Sequence, residues 1–106
     1  MFVITNRIKT QKGFAKHMAP TFTANQQIHQ FDGFIKTEVL VCNHNKDFDE
    51  MNVNMYWETL ESFRVWRESD AFKNAHKQPT EGKGSKESPI LGSEIIISEL
   101  ASTTEK

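Results

Sequence analysis

Three stretches of this chain alternate apolar and polar residues, a fourth near the end centres on Ile95 to Ile97, and two others repeat apolar residues every three or four positions. The order of those stretches constrains the fold more than any other feature. From Phe2 to Lys9, Phe2, Ile4, Asn6 and Ile8 share one face, and Val3, Thr5, Arg7 and Lys9 share the other. That period of two belongs to a half-buried strand. From Gly13 to about His29, Phe14, Met18 and Phe22 recur at helical spacing, with Ile28 near the end. Pro20 sits inside this repeat, so a kink or a loosened preceding turn is expected. Phe31-Asp32-Gly33-Phe34 is a turn signal, since Gly33 can take positive φ.

Alternation resumes from Phe34 to Cys42, with Ile35, Thr37, Val39 and Val41 on the apolar face. Asn43 to Asp47 is a polar hairpin loop, and Met51 to Trp57 is a third strand. Thr59 is an N-cap for a helix carrying Leu60, Phe63 and Trp66. Ser69-Asp70 is a second helix start, so a break or bend is expected there. The second piece carries Phe72 and His76, four residues apart on a shared face. Gln78 to Gly92 is rich in Pro, Gly and charge, either a mobile lid or a plain surface loop. Ser93 to Leu100 is the last strand.

Strand, helix, strand, strand, helix, strand is the βαββαβ order of an α+β, ferredoxin-like fold. Its antiparallel sheet carries two helices on one face and leaves the other uncovered. Pairing two such sheets in a symmetric dimer is the simplest remedy. Residues 1–100 are expected to form a single domain, with 101–106 as a C-terminal tail.

Composition narrows the function. Thirteen basic residues against fourteen acidic give a net charge of -1, which argues against a nucleic-acid partner. The lone Cys42 excludes an internal disulfide and a cysteine-based zinc site. MFVITNRIK lacks the layout of a signal peptide, and no apolar run approaches the roughly 20 residues of a membrane span. A soluble, cytoplasmic protein with no membrane partner is the expectation. GKGSKES lacks the strand–loop–helix context of a phosphate-binding loop. No Ser-His-Asp, Cys-His or HxxxH arrangement is present.

Two features remain. Asn6 lies on an apolar strand face, where an amide costs free energy unless it finds partners. It either bonds neighbouring backbone or points into a cavity. Trp57 to Lys77 gathers Trp57, Phe63, Trp66, Phe72 and His76 in one short stretch. Such residues are often simply core. His76 can be a boundary histidine, or a neutral imidazole ligating haem iron between walls of Phe22, Phe63, Trp66 and Phe72. Trp66 and His76 would stand about 15 Å apart on one straight helix, so a bend at Ser69 would let both line one cavity. His17, His29 and His44 read as solvated.

The block W-x8-W-x2-SD-x-F-x3-HK, from Trp57 to Lys77, resembles the IsdG-type haem-degrading monooxygenases of the antibiotic biosynthesis monooxygenase-like superfamily. TNRI around Asn6, QFDGF, and the segment Ser88-Pro89-Ile90 resemble it as well. The resemblance implies a homodimeric α+β barrel whose catalytic set is Asn6, Trp66 and His76. His76 would be the axial ligand to the haem iron. Asn6 would donate a hydrogen bond that orients bound dioxygen, and Trp66 would press on and ruffle the porphyrin. Haem would then be both substrate and oxygen-activating centre, with O2 and an external electron donor, a separate reductase or reductant, completing the reaction. A non-catalytic haem-binding or storage protein, and a cofactor-free quinol monooxygenase of the same fold, are the alternatives.

Overall fold

A computed structural model describes residues 1–24, 26–75 and 90–106. Strand β1 (Phe2–Gln11) lies between β3 (Phe48–Trp57) and β4 (Ile90–Glu99), with β2 (Phe34–Cys42) outside β3. The order β2-β3-β1-β4 has every neighbouring pair antiparallel. This is the expected ferredoxin-like α+β sheet. Register then decides what shares a face. Ile4 stands beside Met55 and Ile97, Asn6 beside Val53 and Ile95, and Ile8 beside Met51 and Ser93.

That face is covered by α1 (Ala15–Phe22), a 3-10 turn (Gln27–Gln30), α2 (Leu60–Arg67) and α3 (Asp70–Ala75). Its apolar packing falls into two clusters. Ile4, Ile28, Trp57, Phe63 and Trp66 make one. Ile8, Ala15, Met51 and Val53 make the other. On β1, Asn6 is the residue of this face between Ile4 and Ile8, and so lies between the clusters.

The opposite face is polar. Thr5 Oγ1 donates to Asn54 Oδ1 at 2.7 Å, Tyr56 OH donates to Glu38 Oε2 at 2.8 Å, and Arg7 Nε pairs with Glu50 Oε1 at 3.0 Å. The Tyr56 hydrogen bond holds the Glu38 carboxyl below its ordinary range, and the same bond raises the Tyr56 hydroxyl.

The first helix is shorter than its periodicity predicts. It ends at Phe22 rather than near His29. Pro20 has no amide proton to continue the ladder, and Thr23 turns back, its N and Oγ1 donating to Pro20 O at 3.2 and 3.3 Å. The chain then buries Ile28 from the 3-10 turn, while Phe14 stands outside the helix and is exposed. A register shift between Phe34 and Lys36 likewise leaves Ile35 exposed instead of on the apolar face. The third and fourth strands start earlier than predicted, at Phe48 and Ile90.

Two devices fix the helical layer against the sheet. Asp49, 2% exposed, accepts from Gly13 N at 2.9 Å and pairs with Lys12 Nζ at 3.2 Å, pinning the turn from β1 into α1. Burial opposes ionisation of Asp49, but Lys12 and the backbone amides of Gly13 and Ala15 outweigh it and lower its pKa. Gly33 has φ of +87°, and a Cβ there would strike Ser62 Oγ and lie 2.7 Å from Ser62 Cβ. Only glycine lets this turn approach α2 so closely. Among the described residues no helix is long and apolar enough to cross a membrane.

Candidate active site

The two core clusters do not close over Asn6. Between sheet and helices lies a cavity of about 360 Å³ whose lining includes Ile4, Val53, Met55, Phe63, Trp66 and Phe72. Asn6 opens into it from β1, Phe22 from the end of α1 and Ile95 from β4. The walls are therefore mostly apolar, with an amide among them.

The register explains the state of that amide. On its own face of the sheet Asn6 is flanked by Val53 and Ile95, and neither offers a polar side-chain atom. Asn6 Oδ1 is buried and has no hydrogen-bond partner among the described residues. Leaving such a group unpaired costs about 1–3 kcal/mol. Of the two readings open in the sequence, the amide aimed into a cavity is the one this geometry matches. Rotation about the terminal torsion exchanges the amide's two ends, so an N–H donor can be presented at the same place.

Trp66 is a rigid wall. It is 3% exposed and faces Phe72 at right angles, ring centroids 4.7 Å apart. Trp57 backs it at 5.9 Å and Phe63 at 6.3 Å. Trp57 itself is fully buried core, as its place at the end of β3 requires.

The bend that positions Phe72 is made by Ser69. Its hydroxyl donates to Trp66 O at 2.5 Å, closing α2, and accepts from Phe72 N at 3.1 Å, capping α3. Upstream, Thr59 Oγ1 caps α2 by accepting from Ser62 N at 3.0 Å. Both helix starts expected from the sequence are thus present, with the chain bent between them.

Five of the six residues singled out from the sequence, Asn6, Phe22, Phe63, Trp66 and Phe72, line this one cavity. The sixth, His76, lies outside the described residues, as does most of the segment read as lid or loop. Among the described residues no cluster of His, Cys, Asp and Glu could hold a metal ion. His29, expected to be solvated, is exposed but lines the cavity and stacks on Phe34 at 5.5 Å. Val53, Met55 and Arg67 also line it and were not anticipated. Pairing with β1 brings in Val53 and Met55, and the sequence does not print that register. Arg67 carried one signal, its place directly after Trp66.

A β2-β3-β1-β4 sheet with its helices on one face, opening there into a mostly apolar cavity with a stranded amide oxygen, defines a protein of the ferredoxin-like α+β class with an internal cavity. The chain belongs to the antibiotic biosynthesis monooxygenase family, whose sequence signature matches residues 1–78. It is 44% identical, over 95% of its own length and 100% of the relative's, to a protein of Staphylococcus saprophyticus named heme oxygenase (staphylobilin-producing). Its fold matches that of a Bacillus cereus protein described as an antibiotic biosynthesis monooxygenase, with a TM-score of 0.78 and 22% identity over 99% of this chain and 95% of that one. It also matches the heme-degrader MhuD of Mycobacterium tuberculosis, solved with two hemes in its active site, with a TM-score of 0.70 and 16% identity over 99% of this chain and all of that one.

Proposed function

We propose that this chain is a haem-degrading monooxygenase that takes haem as its substrate in the cavity between sheet and helices. The name of its 44% identical staphylococcal relative supports the substrate. The observation that carries the reading is the buried Asn6 Oδ1, which has no partner among the described residues, in a cavity with mostly apolar walls. A flat apolar macrocycle suits such walls, and a polar group at its centre gives the amide something to meet.

Each residue has a task that its surroundings allow. Phe22, Phe63 and Phe72 exclude water and hold the ring by apolar contact. Trp66, backed by three aromatic rings, cannot yield easily, so a macrocycle pressed against it would distort instead. Asn6 would present a neutral N–H donor inside the cavity, able to orient a bound oxygen molecule without delivering a full proton. His76, which directly follows Ala75 in the sequence, would hold the iron through its imidazole. When bound, haem supplies the iron that activates O2, and the electrons come from a separate reductase or reductant.

Two chains would form the working unit. Ile90, Leu91, Ile95 and Ile97 of the edge strand β4 are exposed, at 41%, 53%, 56% and 51%. That is costly for a row of large aliphatic side chains, and a homodimer would cover them.

The test is direct. Hemin added to the protein should give a sharpened, shifted Soret band, and reductant with oxygen should then bleach it in wild type but not in Asn6→Ala. Absence of any Soret change overturns the haem reading. A bound haem that survives reductant and oxygen makes this a storage protein.

A further inference from the structure

A second cleft adjoins the cavity at the break between α2 and α3. Its volume is also about 360 Å³, and it is lined by Arg64, Arg67, Glu68 and Lys73. Arg67 lines both this cleft and the apolar cavity, so it stands where they meet. Arg64 and Arg67 are three residues apart and share a face of α2, while the Ser69 bend brings Lys73 from α3 beside them. Among the described residues, three cations thus face a single carboxylate, Glu68, which forms no ion pair with any of them. Nor does any of the three cations enter an ion pair among the described residues. An unpaired guanidinium at the rim of an apolar cavity suits a ligand with an apolar body and an anionic edge.

We propose that the Arg64–Arg67–Lys73 cleft is the subsite for the carboxylate edge of the substrate, with Arg67 as its principal anchor. This rests on the haem reading, since it concerns how the same ring is held. A porphyrin carrying two propionates on one edge would place that edge in the cleft and leave its centre within the apolar cavity, where Asn6 can meet it. The ring is nearly symmetric in outline, so apolar walls alone discriminate poorly among its in-plane rotations. A cationic cleft at one end selects among them and thereby governs which meso carbon faces the reaction. Arg67 acts as a positioning residue by binding the ligand's periphery, away from the reacting carbon.

The test compares ferric protoporphyrin IX with its dimethyl ester, which keeps the ring and the iron but loses both charges. Affinities are read from Soret titrations of wild type, Arg67→Ala and Arg67→Lys. Wild type should bind the diacid about tenfold or more tighter than the ester, because a charge-assisted bidentate contact is lost. Arg67→Ala should lose most of the diacid's advantage, with Arg64 and Lys73 holding the remainder, and should weaken the ester far less than the diacid. Arg67→Lys should restore part of the difference, and added salt should weaken only diacid binding. Equal losses for both ligands, or no loss for either, overturn the subsite. If wild type shows no Soret change with either ligand, the haem reading fails and takes the subsite with it. Arg67 is an exposed side chain with no described ion pair, so its variants should fold normally, which far-UV circular dichroism checks.

Discussion

Asn6→Leu should make the ligand-free protein more stable and leave it inactive. The replacement has the same branched outline and number of heavy atoms, its extra bulk can enter the adjoining cavity, and it sits between Val53 and Ile95, both aliphatic. It removes a buried amide oxygen that has no described partner. The unpaired group costs about 1–3 kcal/mol, and relieving it contributes a gain of that order. Leucine also packs better than asparagine on a pleated, half-buried surface, so strand preference does not oppose the change. For a domain of this size each 1 kcal/mol raises Tm by about 4–8 °C. Scanning calorimetry of the ligand-free protein should therefore show a rise of at least about 4 °C. The same variant should no longer bleach bound haem when reductant and oxygen are supplied, because it has no donor to aim at the distal side. An unchanged or lower Tm would mean that the amide is satisfied in solution and that the strain argument is wrong. Bleaching at the wild-type rate would remove Asn6 from the chemistry. Such a trade of stability against function is what an unpaired polar group at a working site implies.

Other consequences can be checked singly. Trp66→Ala should cost about 3–5 kcal/mol in denaturant unfolding, since it empties a site backed by Trp57, Phe63 and Phe72. The haem it still binds should lose the spectroscopic signature of a ruffled ring. Gly33→Ala should destabilise by about 1–2 kcal/mol for the positive φ alone, with the clash against Ser62 adding to it; a Tm within about 1 °C of wild type would refute the close approach. Asp49 has a pKa below its ordinary value of 3.8, so its stabilising contribution is complete above that pH and is lost as pH falls through the depressed folded value. Asp49→Asn should accordingly flatten the acid limb of a stability–pH curve below about pH 4, and an unaltered limb would show that the carboxylate is not held by Lys12.

Much of the fold was legible because it depends on local pattern. Period-two alternation marks the first three strands and the run Ile95 to Ile97 the fourth, and Thr59 and Ser69 mark the starts of α2 and α3 through caps that the structure forms. The first helix is shorter than its apolar repeat implies because that repeat carries no sign of the turn at Thr23, which bonds back to Pro20 O and ends the helix at Phe22. Ile35 was placed on the wrong face because a bulge between Phe34 and Lys36 breaks the alternation.

The site divides in the same way. The sequence by itself determined that Asn6 lies on an apolar face, since side-chain alternation along a strand needs no tertiary contact. It also determined that Trp66, Phe72 and the Ser69 bend occur together, because helix caps and helical spacing are local. Only the tertiary structure decided that Asn6 Oδ1 has no partner among the described residues, because that depends on Val53 and Ile95 standing beside it, 47 and 89 residues away along the chain. It alone placed Arg67 at the junction of an apolar cavity and a cationic cleft. Strand register and helix docking are set by the summed burial of many side chains, and no short stretch of sequence carries that sum.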